Sequence, residues 1–164
     1  MKKILLLLAL ALPVFPLASC SDDDDDPTLA ESVTGIYDVT ASIAPKLSVK
    51  TSLPEWQPGE PIAVKVIATG DNKVSLNIDG LTFYGFTIRQ ITMPDIRLTM
   101  RYADPNHIVI QQDADVSAYI EKMRLEFEDI PVEGAIHDLT DLELEFDLNL
   151  EGIPYLVRIN GSKR

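Results

Sequence analysis

The chain has 164 residues, of which 46% are hydrophobic and 24% are charged, and its formal net charge is −12. This composition is typical of a globular protein and excludes a disordered chain or a multi-span membrane protein. The acidic surface would repel phosphate groups, so we expect no nucleic-acid partner. Cys20 is the only cysteine in the sequence, which excludes an intramolecular disulfide, a cysteine metal cluster and a catalytic cysteine in the folded domain.

Residues 1–19 have the pattern of a bacterial lipoprotein signal peptide. Two lysines near the start precede residues 4–12, an apolar segment too short to span a bilayer. Residues 17–19 then place one apolar and two small side chains directly before Cys20. A signal peptidase cuts before such a cysteine once its thiol carries a diacylglyceryl group. We therefore predict a lipidated Cys20 at the mature N-terminus; the alternative is an ordinary secretory signal with a chance cysteine.

Residues 20–33 are predicted to form a lipidated acidic tether. Residues 22–26 are consecutive aspartates, which repel one another and keep the chain extended. The run resembles the acidic export signal of certain Gram-negative lipoproteins, which implies display on the outer face of the outer membrane. The alternative is a solvated spacer on a protein held at the periplasmic face. In both cases the membrane is reached through Cys20.

Residues 34–164 are predicted to form one all-β domain. Apolar and polar residues alternate through most of it, most clearly at residues 142–150. On a strand this pattern gives one apolar and one polar face, whereas on a helix the leucines would spread all round the cylinder. Counting such segments gives about eight or nine antiparallel strands. They could close into a barrel or pack as a two-sheet sandwich, and the pattern leaves both open.

Turn residues separate the predicted strands, and one segment departs from the alternation. Residues 70–72, Gly-Asp-Asn, predict a tight hairpin. Further turns are predicted at residues 79–80, 104–106, 133–134 and 151–152. The apolar residues between 116 and 123 have helical spacing, which predicts a short helix leading into the next strand.

The order of these motifs resembles the calycin-like domain of exported bacterial lipoproteins. The matching motifs lie at residues 35–37 (Gly-Ile-Tyr), 73–78, 86–96 and 152–161. The resemblance covers essentially the whole domain and implies an antiparallel lipocalin-like barrel. In lipocalins such a barrel holds a small apolar ligand, and no catalytic residue is implied.

Candidate catalytic and metal-binding residues are few. His107 and His137 lie far apart in the sequence and outside any helical metal motif, so we interpret them as surface or strand-end histidines. Acidic residues alternate at 126–128 and 143–147, where two of them could act as the acid and base of a glycosidase. Solvated strand faces are the simpler interpretation. Residues 104–106 and 113–115 lack a full calcium-loop pattern. We predict no enzyme activity, no metal and no cofactor.

Aromatic residues are the predicted ligand-binding residues. Trp56 lies in the proline-rich segment 53–61, which would hold it rigidly for stacking on a sugar ring or over a barrel mouth. The alternative is a tryptophan that folds back and plugs the barrel. Phe83, Tyr84 and Phe86 could line a pocket or could simply pack in the core.

These observations predict a lipid-anchored envelope protein whose β-barrel binds a small apolar ligand or a glycan. The alternative is a structural or adhesive surface protein that pairs with partner proteins or glycans through strand edges and loops. A third hypothesis is a hydrolase that uses acidic residues. A sizeable cavity would favour the first, and a filled interior with an exposed apolar patch would favour the second.

Overall fold

The computed structural model of the chain describes residues 26–46, 57–83, 85–120 and 122–164. The predictions for the signal peptide, Cys20, Trp56 and Tyr84 concern residues outside these ranges. Within the described ranges, no helix is long and apolar enough to cross a membrane.

Antiparallel strands make up most of the described chain. They are β1 (Gly35–Pro45), β2 (Gln57–Gly70), β3 (Lys73–Phe83), β4 (Phe86–Arg97), β5 (Thr99–Arg101), β6 (Asp104–Ile120), β7 (Met123–His137), β8 (Asp141–Leu150) and β9 (Ile153–Lys163). The strands neighbour one another in the order β4-β3-β2-β1-β9-β8-β7-β6, and pairing of β4 with β6 closes the ring. The short β5 adds to β6. The described strands thus form a closed eight-stranded barrel with one extra strand, which confirms the barrel prediction and excludes the sandwich.

The alternating apolar residues fill the barrel interior. Along β8 the even-numbered residues from Leu142 to Leu150 are buried, while the residues between them are exposed or half-buried. Large side chains from opposite walls, including Tyr37, Leu76, Ile108 and Phe146, are each less than 2% exposed. The interior of an eight-stranded barrel is just wide enough for side chains to fill it. The hydrophobic core therefore lies inside the ring.

A short helix, α1 (Leu29–Val33), packs at one end of the barrel, which we call the near end. Its N-terminus is a capping box: the Glu31 N–H donates to the Thr28 hydroxyl, and the Thr28 N–H donates to the Glu31 carboxylate. These two hydrogen bonds hold the pKa of Glu31 below its usual value. The Ala30 N–H donates to the Asp71 carbonyl (3.0 Å), which ties the helix to the β2–β3 turn.

Two apolar residues of α1 complete the core at the near end. Ala30 and Val33 are fully buried, and the hydroxyl of the buried Tyr37 donates a 2.8 Å hydrogen bond to the Val33 carbonyl. The predicted tether 20–33 is therefore too long, because its last residues belong to the folded domain. Burial of these apolar side chains stabilises the helix against the barrel.

The predicted helix between residues 116 and 123 is wrong. β6 runs on to Ile120 and pairs there with both β4 and β7. The even-numbered residues of β6 stay on its inner face to the end of the strand, so that Ala114, Val116 and Ala118 are all buried. Hydrogen bonding to a strand on each side outweighs the helical spacing of a few apolar residues.

Two predicted turns are wrong because their glycines lie inside strands. Gly80 lies within β3 with a φ of +43°, a conformation that glycine adopts without strain. Gly134 lies within β7, where a Cβ would overlap the Glu143 carbonyl oxygen of β8. These glycines permit backbone bending or close approach within strands rather than chain reversal.

Three other turns lie at or near their predicted positions. The turns at residues 70–72 and 151–152 are confirmed, since they join β2 to β3 and β8 to β9. The turn predicted at 104–106 lies slightly earlier, at Tyr102 and Ala103, which have φ values of 55° and 57°. Two consecutive residues with positive φ are typical of a tight hairpin turn.

Candidate functional site

An aromatic cluster lies at the far end of the barrel, opposite α1, where the β3–β4, β6–β7 and β8–β9 turns are found. The Phe83 ring lies 6.2 Å from the Phe86 ring and 5.6 Å, edge-on, from the Tyr155 ring, measured between centroids. Phe83 and Tyr155 are buried, whereas Phe86 is half-buried. The structure thus brings together two of the predicted ligand-binding residues, while Trp56 and Tyr84 lie outside the described residues.

At the far end β7 separates from β8. β7 pairs with β6 along most of its length, but it pairs with β8 only over residues 132–137. The later part of β8, residues 147–150, pairs with β9 alone among the described strands. Residues 123–131 of β7 therefore have one strand edge with no described pairing partner. We call this opening the β7–β8 gap.

A β-bulge accounts for the divergence. Ala114 pairs with Ile130 and Val116 pairs with Phe127, so two residues of β7 lie opposite one residue of β6. One of the two, Asp129, has a φ of 53°. A bulge bends its strand and increases the local twist, which carries the end of the β6–β7 hairpin away from β8.

The inner face of this hairpin is apolar and only partly covered. Phe127 pairs with Val116 and Leu125 pairs with Ala118, so each pair projects from the same face of the sheet. Val116 and Ala118 are fully buried, but Leu125 and Phe127 are half-buried and Met123 is 63% exposed. The uncovered set, which we call the apolar rim, consists of Phe86, Ile120, Met123, Leu125 and Phe127.

The barrel interior directly behind Phe83 is filled. The pocket there is lined by Ala41, Ile43, Leu81, Phe83 and Val157, among others, and its volume is about 10 Å³. Such a space holds at most one water molecule, whereas ligand sites usually measure several hundred Å³, roughly 300–1,000. This pocket therefore has no room for a small-molecule ligand.

Charged side chains surround the apolar rim on the outer surface. Glu126 and Glu128 are exposed on β7 on either side of Phe127, and Arg124 forms an ion pair with Glu126 at 2.5 Å. Across the gap, Asp147 Oδ2 accepts a hydrogen bond from Lys46 Nζ at 2.6 Å. Its Oδ1 is buried without a hydrogen-bond partner in the described structure. The rim is thus an apolar surface edged by carboxylates, two of which are ion-paired with Lys46 and Arg124.

The acidic residues considered for catalysis lie on the outer wall. Glu143 is exposed, and Glu145 forms a 2.7 Å ion pair with Arg158. A glycosidase acid needs an apolar surrounding that raises its pKa, and these two carboxyl groups face solvent instead. In the part of the chain that the structure describes, no three His, Cys, Asp or Glu side chains converge on a metal-sized site.

Sequence reasoning missed two groupings. The first is the apolar rim: the exposure of Met123, Leu125 and Phe127 depends on where β8 stops pairing with β7, which the residue pattern does not encode. The second grouping is His107 and His137, whose rings lie 4.6 Å apart. Only the strand register, which aligns these two residues directly opposite one another, could have revealed it.

Comparison with known proteins relates the chain to a fold rather than to a family. No family model and no curated protein matches the sequence. A solved structure from Bacteroides fragilis, described as a "putative outer membrane protein", is similar with a TM-score of 0.56 and 15% sequence identity. The likeness covers 84% of this chain but 53% of the other, so this chain spans about half of that protein's length. At this identity the likeness concerns the fold alone.

Proposed function

We propose that the chain is a lipid-anchored, non-enzymatic protein of the cell envelope whose barrel binds a small apolar ligand at the apolar rim. The observation that carries the proposal is the β7–β8 gap, which leaves the inner faces of Leu125 and Phe127 and the side chain of Met123 in contact with solvent. Apolar surface in this position gains free energy when a ligand covers it, at about 25 cal/mol per Å².

The surroundings of the rim favour a hydrocarbon ligand over a glycan. The rim residues are isoleucine, leucine, methionine and phenylalanine, and the buried Phe83 ring contacts both Phe86 and Tyr155. Sugar recognition requires polar groups that converge on hydroxyls, whereas the nearby carboxylates of Glu126 and Glu128 lie on the outward face of β7.

Membrane anchoring and envelope location are part of the same proposal. They rest on the signal-peptide pattern before Cys20 and on the aspartate run at residues 22–26. The name of the structural neighbour from Bacteroides fragilis accords with an outer-membrane location. The proposal includes the calycin-like resemblance and display at the cell surface.

A second candidate function is pairing with a partner strand. Residues 123–131 of β7 present to the β7–β8 gap an edge that pairs with none of the described strands, and an extended segment of another protein could add there. This is the structural or adhesive alternative, which a filled interior with an exposed apolar surface favours. Glu126, Glu128 and Asp129 lie along that edge, and charged residues on a strand edge commonly oppose such pairing. We therefore place ligand binding first.

Binding of the neutral fluorescent probe N-phenyl-1-naphthylamine tests the proposal. The matched variants are Met123→Ser at the rim and Met100→Ser on β5, since these methionines are 63% and 46% exposed. Loss of part of a methionine's apolar contact should weaken probe binding by about 1 kcal/mol, or roughly fivefold. We expect this effect for Met123→Ser and none for Met100→Ser.

The competing outcomes are distinguishable. Equal binding by both variants, or no binding by the unmodified chain, would overturn rim binding. Amide hydrogen exchange tests strand addition, since a paired partner strand would protect the edge amides of residues 123–131. A small apolar ligand on the inner face would leave that exchange largely unchanged.

A further inference from the structure

A pair of histidines lies on the outer wall of the barrel, near the end that carries α1. His107 of β6 and His137 of β7 are directly opposite in the strand register. The adjacent residues Ile108 and Ile136 are fully buried, so both imidazoles project to the outside. This pair is remote from the apolar rim, and the proposed ligand-binding function makes no use of it.

The register places the two imidazoles as close as neighbouring strands allow. The Asp138 N–H donates a 2.7 Å hydrogen bond to the Asn106 carbonyl, which makes the adjoining pair a hydrogen-bonded one. His107 and His137 therefore occupy a non-hydrogen-bonded position, where opposing side chains approach most closely. Their ring centroids are 4.6 Å apart with an interplanar angle of 78°.

Local hydrogen bonds fix the backbone on both sides of the pair. The Thr140 N–H donates to the His137 carbonyl at 3.0 Å, which closes the β7–β8 turn. The Asn106 N–H donates to Asp104 Oδ1 at 2.9 Å. The imidazoles therefore start from fixed Cα positions, and only side-chain rotation is needed to direct one nitrogen from each ring at a common point.

Negative charge lies beside the pair. Asp141 of β8 is the cross-strand partner of His137 on the same outward face, and it accepts a 2.7 Å hydrogen bond from the Ser162 hydroxyl. The chain as a whole carries a net charge of −12. This field attracts cations, while imidazole nitrogen selects borderline metals over Ca²⁺ and Mg²⁺, which prefer oxygen ligands.

We propose that His107 and His137 together bind one divalent transition-metal ion of the Zn²⁺ or Ni²⁺ type. Each histidine supplies one nitrogen, and water fills the remaining coordination positions. Two protein ligands make an open, exchangeable site rather than a closed structural one, which usually has four. Asp141 supplies negative charge beside the site and is not a third ligand, since no three ligating side chains converge in the described chain.

Imidazole nitrogen NMR of the full chain tests the proposal directly, because the sequence contains two histidines. Excess Mg²⁺ is added first to occupy carboxylate sites, including the aspartate run, and Zn²⁺ is then titrated. We expect the resonances of both rings to shift together and to saturate at one Zn²⁺ per chain. Zn²⁺ that leaves both imidazoles unshifted would overturn the proposal.

The variants His107→Asn and His137→Asn separate a shared site from two independent ones. Removing a residue that only hydrogen-bonds to a metal ligand lowers metal affinity by about tenfold to a hundredfold. Because each variant removes a ligand itself, its Zn²⁺ affinity should fall by at least about tenfold. Asp79→Asn, which removes an exposed carboxylate from β3, should keep the original affinity. A single histidine variant that binds Zn²⁺ as tightly as the unmodified chain would refute the shared site. Amide spectra of each variant confirm folding.

Discussion

The hydroxyl of Tyr37 stabilises the join between α1 and the barrel, and the substitution Tyr37→Phe isolates its contribution. The side chain is fully buried and its hydroxyl donates to the Val33 carbonyl at 2.8 Å. Phenylalanine retains the ring but leaves a buried carbonyl without this donor. A buried group that loses its partner costs about 1–3 kcal/mol. We expect the free energy of unfolding at pH 8 to fall by about that amount.

Alkaline pH should change this difference in a defined direction. Burial raises the pKa of Tyr37 from 10.0 to about 12. The unfolded chain then ionises at a lower pH than the folded chain, so the stabilisation is complete below pH 10 and is lost as the pH rises toward 12. A shift of this size corresponds to at most about 3 kcal/mol. Because phenylalanine cannot ionise, the difference in free energy of unfolding between the unmodified chain and Tyr37→Phe should shrink or reverse between pH 10 and 12.

Urea unfolding followed by far-ultraviolet circular dichroism, at pH 8 and at steps between pH 10 and 12, measures both effects. Tyr102→Phe is the matched control because Tyr102 is 89% exposed, and it should track the unmodified chain throughout. The other tyrosines are present in all three proteins, so their effect on stability is the same in each and drops out of the comparison. A stability gap for Tyr37→Phe that is absent at pH 8, or that stays constant to pH 12, would refute the reasoning.

Two further predictions concern the barrel wall and the anchor. Gly161→Ala should lower the free energy of unfolding by about 1–3 kcal/mol, because the new Cβ would lie 2.5 Å from Val39 Cα. Thermal unfolding measures this loss. Gly70→Ala is the control, since its Cβ would lie 3.8 Å from the nearest atom, and its melting temperature should change little. Equal melting temperatures for the two variants would contradict the steric argument. Cys20→Ser should abolish incorporation of labelled fatty acid and leave the signal peptide uncleaved, and a variant that still carries the label would contradict lipidation of Cys20.

The sequence predicts the local structure of the barrel well because the interior imposes a period of two on each strand. The alternation at residues 142–150 and the turn at residues 70–72 appear in the structure as predicted. Glycine turns were less reliable, since Gly80 and Gly134 lie inside strands. A glycine indicates that the backbone needs freedom or space, and both chain reversal and close strand approach have that requirement.

The candidate sites depend on register, and this explains why the residue pattern alone does not predict them. Alternation shows that Leu125 and Phe127 face inward, but not that β8 has stopped pairing beside them. His107 and His137 come together only because the β6–β7 pairing aligns them across the hairpin. Register follows from turn geometry and from the complete set of strand pairings, so it requires the closed barrel rather than any one segment.

Both sites can therefore be traced to the β6–β7 hairpin and its bulge at Asp129. On the near side of the bulge the register is regular, and β7 pairs with both β6 and β8. The histidine pair therefore lies on a part of the wall that has little freedom to bend. Beyond the bulge β7 is held on one side among the described strands, and its apolar inner face is partly exposed. Local opening requires less free energy where fewer strand contacts must break. If the proposed function is right, this freedom would let the apolar rim adapt to ligands of different shape while the rest of the barrel remains closed.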